Sequence, residues 1–303
     1  MNQDPRVLLT GAGGFVGRAV AQQLEARGSK VSGCDLRGAT RAIDVLERDA
    51  LLRFALEVQP TVFVHGAAVT TARRPDELDL LEVNLRGTLN ALCAARAVGV
   101  AHFVLLSSAG VYAPGQPEPI TEAGITSSEH AYSLSKTLAE EMCDLGKSAG
   151  MTIRALRLGA VYGPGETVSA TRSRGSLVLE IARQLNAARI VLPRAPDDAY
   201  NFLHTADLAQ LLETIAQRPS DGGTHVYNVG GATTTALELV HAFERVTKQP
   251  LEPRVVWNAN PAPRHGAIDS SKLKNELGFV ADTPLETGLL DYLEAAPMEV
   301  LWA

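Results

Sequence analysis

The apolar run Val7-Leu8-Leu9 breaks at Thr10-Gly11-Ala12-Gly13-Gly14 and resumes as Phe15-Val16-Gly17, with Val16, Val20 and Leu24 sharing one face of the stretch that follows. This pattern predicts a buried strand, a turn crowded with glycine and an amphipathic helix. Gly11 and Gly13 are expected to take backbone angles closed to residues with a Cβ, and Gly14 to let a ligand approach the main chain. Gly17 is expected to let the helix lie close on the strand. The unpaired N–H groups and partial positive charge at the helix start suit a pyrophosphate.

A glycine triplet alone also fits a plain tight turn. Here it follows a strand and opens a helix, as dinucleotide binding requires. A second strand over residues 30–34 ends in Asp35, whose carboxylate is placed to accept both hydroxyls of an adenosine ribose. Asp35 would repel a 2′-phosphate and so favours NAD, while Arg37 leaves NADP as the lesser alternative. Asp44 and Val45 follow a polar loop and are candidates for the adenine; a helix-start aspartate fits Asp44 equally well.

Further along, residues 46–57 and 78–98 read as helices, and residues 61–64, 102–106 and 151–158 as buried strands. His65-Gly66-Ala67-Ala68 places small residues just past a strand end, where a ligand can come close. Asn84 and Gly87 stand inside the long helix, and a glycine there costs about 1 kcal/mol relative to alanine, which implies a packing reason. A helix near Ala131 carries Tyr132 and Lys136. Residues 160–165 are expected to stop the strand before them. This alternation through residues 6–160 predicts a parallel sheet with helices on both faces. Beyond Gly165 the rhythm changes: residues 166–175 are polar and fit either a substrate loop or a plain surface loop. Helices are expected over 176–188, 205–216, 237–247 and 271–277, with strands at 190–192 and 227–229.

The 303 residues suit one large α/β domain or a main domain with a smaller lobe. With 28 basic against 34 acidic residues the chain carries a net charge of −6, and it has no basic block, which argues against a nucleic-acid partner. No apolar run approaches the roughly 20 residues of a membrane span. The beginning of the chain lacks the apolar core of a signal peptide, so a cytoplasmic protein is expected. Cys34, Cys93 and Cys143 are odd in number and far apart, as reduced thiols would be. The histidines show no metal-ligand spacing, and no metal is expected.

Tyr132 and Lys136 are four apart and share a helix face. A phenol with pKa about 10 needs about 4 kcal/mol of differential stabilisation to become a base near neutrality. An ammonium one turn away, and the charge of an oxidised nicotinamide, are expected to supply it. Tyr132 would then take the proton of a substrate hydroxyl, with Ser108 holding the substrate oxygen.

In this order the motifs resemble those of the extended short-chain dehydrogenase/reductase superfamily, in the NAD-dependent epimerase/dehydratase family. They are Thr10-Gly11-x-x-Gly14-Phe15-x-Gly17, His65-x-Ala67-Ala68, Val83-Asn84, Ser107-Ser108-x-x-Val111-Tyr112, Tyr132-x-x-x-Lys136 and Val161-Tyr162-Gly163-Pro164. The resemblance implies a Rossmann-type doubly wound sheet over residues 1–165, with returns near 200–215 and 224–230. Residues 166–303 would then form mainly a smaller C-terminal α/β substrate lobe. It implies NAD held by Gly11, Gly13, Gly14, Phe15, Val16, Gly17, Asp35, Arg37, Asp44, Val45, Ala67, Ala68, Asn84, Ser107, Tyr132 and Lys136. It implies Ser108, Tyr132 and Lys136 as catalytic, and Thr70, Ser108, Ala109, Tyr132, Tyr200 and Arg264 at a sugar-like substrate. A homodimer pairing the helices at 80–97 and 132–146 is also implied.

Departures from the family pattern bear on the reaction. Ala109 and Gly110 replace the acid/base pair of the dehydratases, so dehydration is not expected. Ala160 and Tyr200-Asn201 replace polar residues usual where the substrate carries a nucleoside diphosphate. A free sugar, sugar acid or other small carbinol then competes, with Arg73, Arg74, Arg172, Arg174 and Arg194 as candidates to receive a carboxylate. Epimerase and dehydrogenase outcomes share the first step; a non-catalytic NAD(P)-sensing module is the reading from another class.

Overall fold

The structure is a computed structural model describing residues 5–70, 77–127, 129–169, 172, 175–258 and 266–295. Seven strands form one parallel sheet: β1 (Arg6–Thr10), β2 (Lys30–Asp35), β3 (Arg41–Ala42), β4 (Val62–His65), β5 (His102–Ser108), β6 (Thr152–Leu158) and β10 (Thr224–Val229). Their order is β10-β6-β5-β4-β1-β2-β3. The chain builds outward from β1 on one side and then from β4 on the other, so the direction of winding reverses between β1 and β4. The carboxyl ends of these two strands bound the crevice where such sheets take their ligands.

Strand alternation explains why both faces are covered. Val7 and Leu9, Val62 and Val64, and Val104 and Leu106 point to one core, packed with α1 (Phe15–Ala26) and α6 (Thr205–Ala216). Leu8, Phe63, Phe103 and Leu105 point to the other, under α2 (Arg48–Val58), α3 (Glu77–Val98) and α4 (Ala131–Leu145). These are the doubly wound faces expected from near-continuous apolar runs.

A third core forms the smaller lobe. It gathers Leu177, Val178 and Ile181 of α5 (Leu177–Ala182), Tyr200 and Phe202 of β9 (Ala199–His204), Leu239 and Phe243 of α7 (Ala236–Thr247), and Leu289 and Tyr292 of α9 (Leu285–Ala295). Strand β9 pairs with β7 (Ala160–Tyr162) and β11 (Thr233–Thr235), while β8 (Ile190–Leu192) pairs with β12 (Val255–Trp257). Helix α8 (Ser271–Leu277) returns to the first core through Leu273 and Leu277.

Three expectations change. The helix expected over 176–188 ends at Ala182, because Arg254 takes the carbonyls of Leu185 (3.1 Å) and Ala187 (2.8 Å) and holds the chain in turns there. Residues 160–162 do not merely stop β6 but pair with β9 as β7. Gly13 is needed for contact and not for a left-handed angle: a Cβ there would lie 1.8 Å from the Arg37 carbonyl oxygen, whereas Gly11 does have φ +78°. Among the described residues no helix is long and apolar enough to cross a membrane.

Candidate active site

The glycine turn is held at the switch point by backbone contacts. Gly11 and Ala12 donate to the Cys34 carbonyl at 2.9 and 3.3 Å, tying the turn to the end of β2. A Cβ at Gly17 would lie 2.1 Å from the Gly11 carbonyl oxygen, so only glycine lets α1 sit this close to the turn. Helix α1 starts at Phe15 with no acidic residue in its first turn. Around Gly14 an added Cβ would meet only the Gly11 oxygen, at 3.4 Å. The amide end of α1, Val16 included, is therefore a cradle of the kind anions occupy.

Asp35 ends β2 with both carboxylate oxygens engaged. Gly13 donates to Oδ2 at 3.1 Å and Leu36 to Oδ1 at 2.6 Å. Two lone pairs remain for ribose hydroxyls. Arg37 is exposed, and Asp44 Oδ1 accepts from Leu46 at 2.9 Å in a turn that precedes α2. Val45 is buried; its Cγ2 lies 2.9 Å from where a Cβ of Gly87 would be, which is the packing reason for a glycine inside α3.

Across the crevice, Thr10 Oγ1 contacts His65 Nδ1 at 2.8 Å and accepts from the Ala67 amide at 3.3 Å. Burial, and then repulsion from Lys136, push the His65 pKa down to about 3, so this imidazole stays neutral. Asn84 is buried and accepts from Val69 at 2.8 Å while donating to the Val69 carbonyl (3.0 Å) and Ser135 (2.9 Å). Its amide thus pins the segment carrying Ala67 and Ala68 to α3 and α4. Thr70, half-buried, ends that segment.

Ser108 closes β5; its Oγ accepts from Gly110 at 3.0 Å and lies near the Tyr132 phenol. Burial raises the phenol above its ordinary pKa, and the Ser108 hydroxyl and then the Arg172 charge oppose that rise. Lys136 stands one turn further along α4. Its Nζ donates to the Leu106 carbonyl at 2.9 Å and stands 5.9 Å from the Tyr132 ring centroid. The Arg172 charge also acts on the phenol.

Burial lowers the Lys136 pKa to about 8, and Glu140, one turn further along α4, opposes this. Glu140 is itself buried. It accepts from Ser107 and pairs with Arg157, whose Nη2 lies 2.7 Å from Oε2. Arg157 continues to Tyr112 (2.9 Å), and Tyr112 donates to Asn228 at 2.7 Å. The Ser107 hydroxyl is therefore turned into this network. The sequence reading does not single out Glu140, although its spacing from Lys136 repeats that of Lys136 from Tyr132.

On the lobe side, Glu166 has a fully buried side chain that accepts from the Ser176 amide (2.8 Å), the Ser176 hydroxyl (2.7 Å) and Arg172. Arg172 lies 5.1 Å over the Phe15 ring. Arg18 reaches the carbonyls of Gly13 (3.4 Å) and Gly165 (3.3 Å), joining this loop to the glycine turn. Nothing in the local sequence separates a buried Glu166 from a solvated one.

The other residues expected at the substrate have the following surroundings. Ala109 is buried with Val111, Tyr112, Ile120 and Ile268, so its methyl group is committed to packing. Tyr200 is stacked on Phe202 at 5.3 Å within the lobe core. Asn201 is spent on Gly231 (2.8 Å), Thr233 (3.3 Å) and the Ile268 amide (2.8 Å). Arg264, Arg73, Arg74 and Arg174 lie outside the described residues. Away from the crevice, ligand-type atoms of His241, Glu244 and Glu252 lie within 4.8 Å of one another; Glu244 already accepts from the amides of Leu251 and Glu252.

A glycine turn at the switch point of a seven-stranded parallel sheet, with serine, tyrosine and lysine at its carboxyl edge, marks the extended short-chain dehydrogenase/reductase class. Residues 7–230 match the NAD dependent epimerase/dehydratase family, and the chain belongs to that family. It is similar to UDP-glucuronic acid decarboxylase 6 of Arabidopsis thaliana, 25% identical over 306 residues, 94% of this chain and 86% of that protein. The structure of UDP-glucose 4-epimerase from Thermotoga maritima superposes with a TM-score of 0.82 at 21% identity, over 95% of this chain and 97% of that one. The Thermus thermophilus UDP-glucose 4-epimerase, solved as a complex with NAD, gives 0.76 at 25% identity, over 96% and 98%.

Proposed function

We propose that the chain is an NAD-dependent oxidoreductase/epimerase acting on a secondary hydroxyl of a sugar-like substrate, with a sugar or nucleotide-sugar epimerase as the favoured reaction. One observation carries this reading: Ser108 at the carboxyl end of β5 and Tyr132 on α4 stand close enough for the serine hydroxyl to oppose the effect of burial on the phenol, with Lys136 one helical turn from Tyr132. The cradle at Gly11, Gly13, Gly14, Phe15 and Val16 fits a pyrophosphate, and the fixed Asp35 carboxylate fits a ribose. Family membership and the NAD complex of the Thermus thermophilus enzyme support the same cofactor.

When bound, NAD supplies the hydride acceptor. Tyr132 takes the proton from the substrate hydroxyl, and Ser108 holds the substrate oxygen in line with the phenol. Lys136, its ammonium steadied by Leu106, adds positive charge behind Tyr132. With a buried Ala109 and Gly110 at the positions of a dehydratase's acid/base pair, the chain has no side chain there to move a second proton.

Isomer exchange between UDP-glucose and UDP-galactose, followed by NMR with NAD present, tests the epimerase reading; absorbance of NADH reads the alternative. That alternative, a dehydrogenase of a sugar, sugar acid or small alcohol, is supported by Asn201, whose amide is committed within the lobe. Tyr132→Phe should abolish either activity while leaving NADH binding intact. Full activity in that variant would overturn the mechanism.

Three further readings belong to this proposal. Residues 1–165 serve as the dinucleotide domain and 166–303 mainly as the substrate lobe. A homodimer through α3 and α4 is supported by Leu89 and Leu138, exposed on these packed helices. Free cysteines at 34, 93 and 143 support a reducing, cytoplasmic setting.

A further inference from the structure

We infer that Arg172, anchored by the buried Glu166 carboxylate and held over the Phe15 ring at the start of α1, is a substrate-contacting residue that receives an oxyanion group, a carboxylate or a phosphate, carried by the substrate near its reacting hydroxyl. The inference rests on the oxidoreductase reading above and narrows its substrate class.

A buried carboxylate is costly unless its oxygens are paired. All the donors described on Glu166 come from Arg172 and Ser176, so burying Glu166 serves to hold this loop and its arginine in one place. Arg172 Nη1 donates to the Thr167 carbonyl at 3.0 Å, and the guanidinium rests over the Phe15 ring. Both features fix the plane of the group. Its side chain nonetheless remains 22% exposed, and a guanidinium has five donors, of which not all are taken among the described residues.

A second observation aims it. The Arg172 charge opposes the effect of burial on the Tyr132 phenol, so its field reaches the phenol from a guanidinium held over Phe15 at the start of α1. A rigid planar fork held there suits a carboxylate or phosphate, which take two parallel N–H bonds. Of the arginines considered from sequence, Arg194 donates to its neighbour's carbonyl, Pro193, at 2.8 Å and is not tied to the site. The competing source of an oxyanion is the cofactor's own pyrophosphate, since Phe15 opens α1.

The test uses the full chain saturated with NAD and calorimetric titration of D-galacturonate, D-glucuronate, D-galactose 1-phosphate and D-galactose, with NADH binding followed separately by fluorescence. At least one anionic sugar should bind about ten-fold or more tightly than galactose, and Arg172→Gln should remove that preference. Arg172→Lys, which keeps the charge without the fork, should keep part of it. NADH and galactose binding should be unchanged in both variants. A carboxylate is distinguished from a phosphate by which sugar shows the preference. The inference is overturned if no anion exceeds galactose, if Arg172→Gln weakens NADH binding, or if it weakens all ligands alike. Anion preference lost in Arg172→Gln without any isomer or NADH formed would sink the oxidoreductase reading and leave this one standing. Turnover of neutral sugars alone would do the reverse.

Discussion

Lys136, one turn beyond Tyr132 on α4, donates its ammonium to the Leu106 carbonyl of β5 at 2.9 Å, with Glu140 one turn further along the same helix. The lysine that is expected to assist the phenol is therefore held by the sheet and balanced by a buried acid.

Burial brings the Lys136 pKa down to about 8, and Glu140 raises it against that effect. If the protonated lysine is the active form, kcat/KM should fall as pH rises through about 8. Glu140→Gln removes the raising influence, so the fall should move to lower pH. The same variant leaves Arg157 without its partner and should lose about 3 kcal/mol of stability. A pH–rate profile and urea unfolding check the two effects independently.

His65 should govern part of the acid stability. Its folded pKa, about 3, lies below the ordinary value of 6.5. Between those values the unfolded chain binds a proton that the folded chain does not, so stability is present above pH 6.5 and is lost as pH falls. This amounts to about 2 kcal/mol between pH 7 and pH 5. His65→Gln should flatten that part of the curve, measured by denaturant unfolding at the two pH values.

Gly87→Ala pits helix propensity against packing. Alanine gains about 1 kcal/mol in a helix interior, but its Cβ would lie 2.9 Å from Val45 Cγ2. Overpacking of a stiff buried side chain costs about 1–3 kcal/mol, so the single variant should be less stable than wild type. Adding Val45→Ala should make room, and a double-mutant cycle by thermal unfolding should show positive coupling between the two sites.

Asn84→Ala removes the three hydrogen bonds that hold Val69 and Ser135. A loss of about 2–3 kcal/mol is expected from the buried groups left unpaired. NADH should also bind more weakly, because the Ala67–Ala68 segment loses its tether; fluorescence titration reads this.

Much of the main sheet was legible because β1, β4 and β5 are short apolar runs ended by small residues, with both alternate faces buried. The spacing of Tyr132 and Lys136 on one helix, α4, was legible for the same local reason. What escaped depends on distant partners. The helix at 177 is shortened by Arg254, and the acids Glu140 and Glu166 look like any solvated charge until Arg157, Arg172 and Ser176 are placed around them. Helix α9 did carry a local signal, Pro284 followed by Leu285, Leu289 and Tyr292, with apolar positions recurring at helical spacing.

Asp35 touches both the turn before it and the residue after it, through the amides of Gly13 and Leu36. If Asp35 receives the ribose as proposed, cofactor choice is welded to the shape of the glycine turn. Exchanging the carboxylate for a neutral side chain to admit a 2′-phosphate would also slacken the glycine turn, so redesign toward NADP calls for a replacement acceptor at Gly13 along with any new cation.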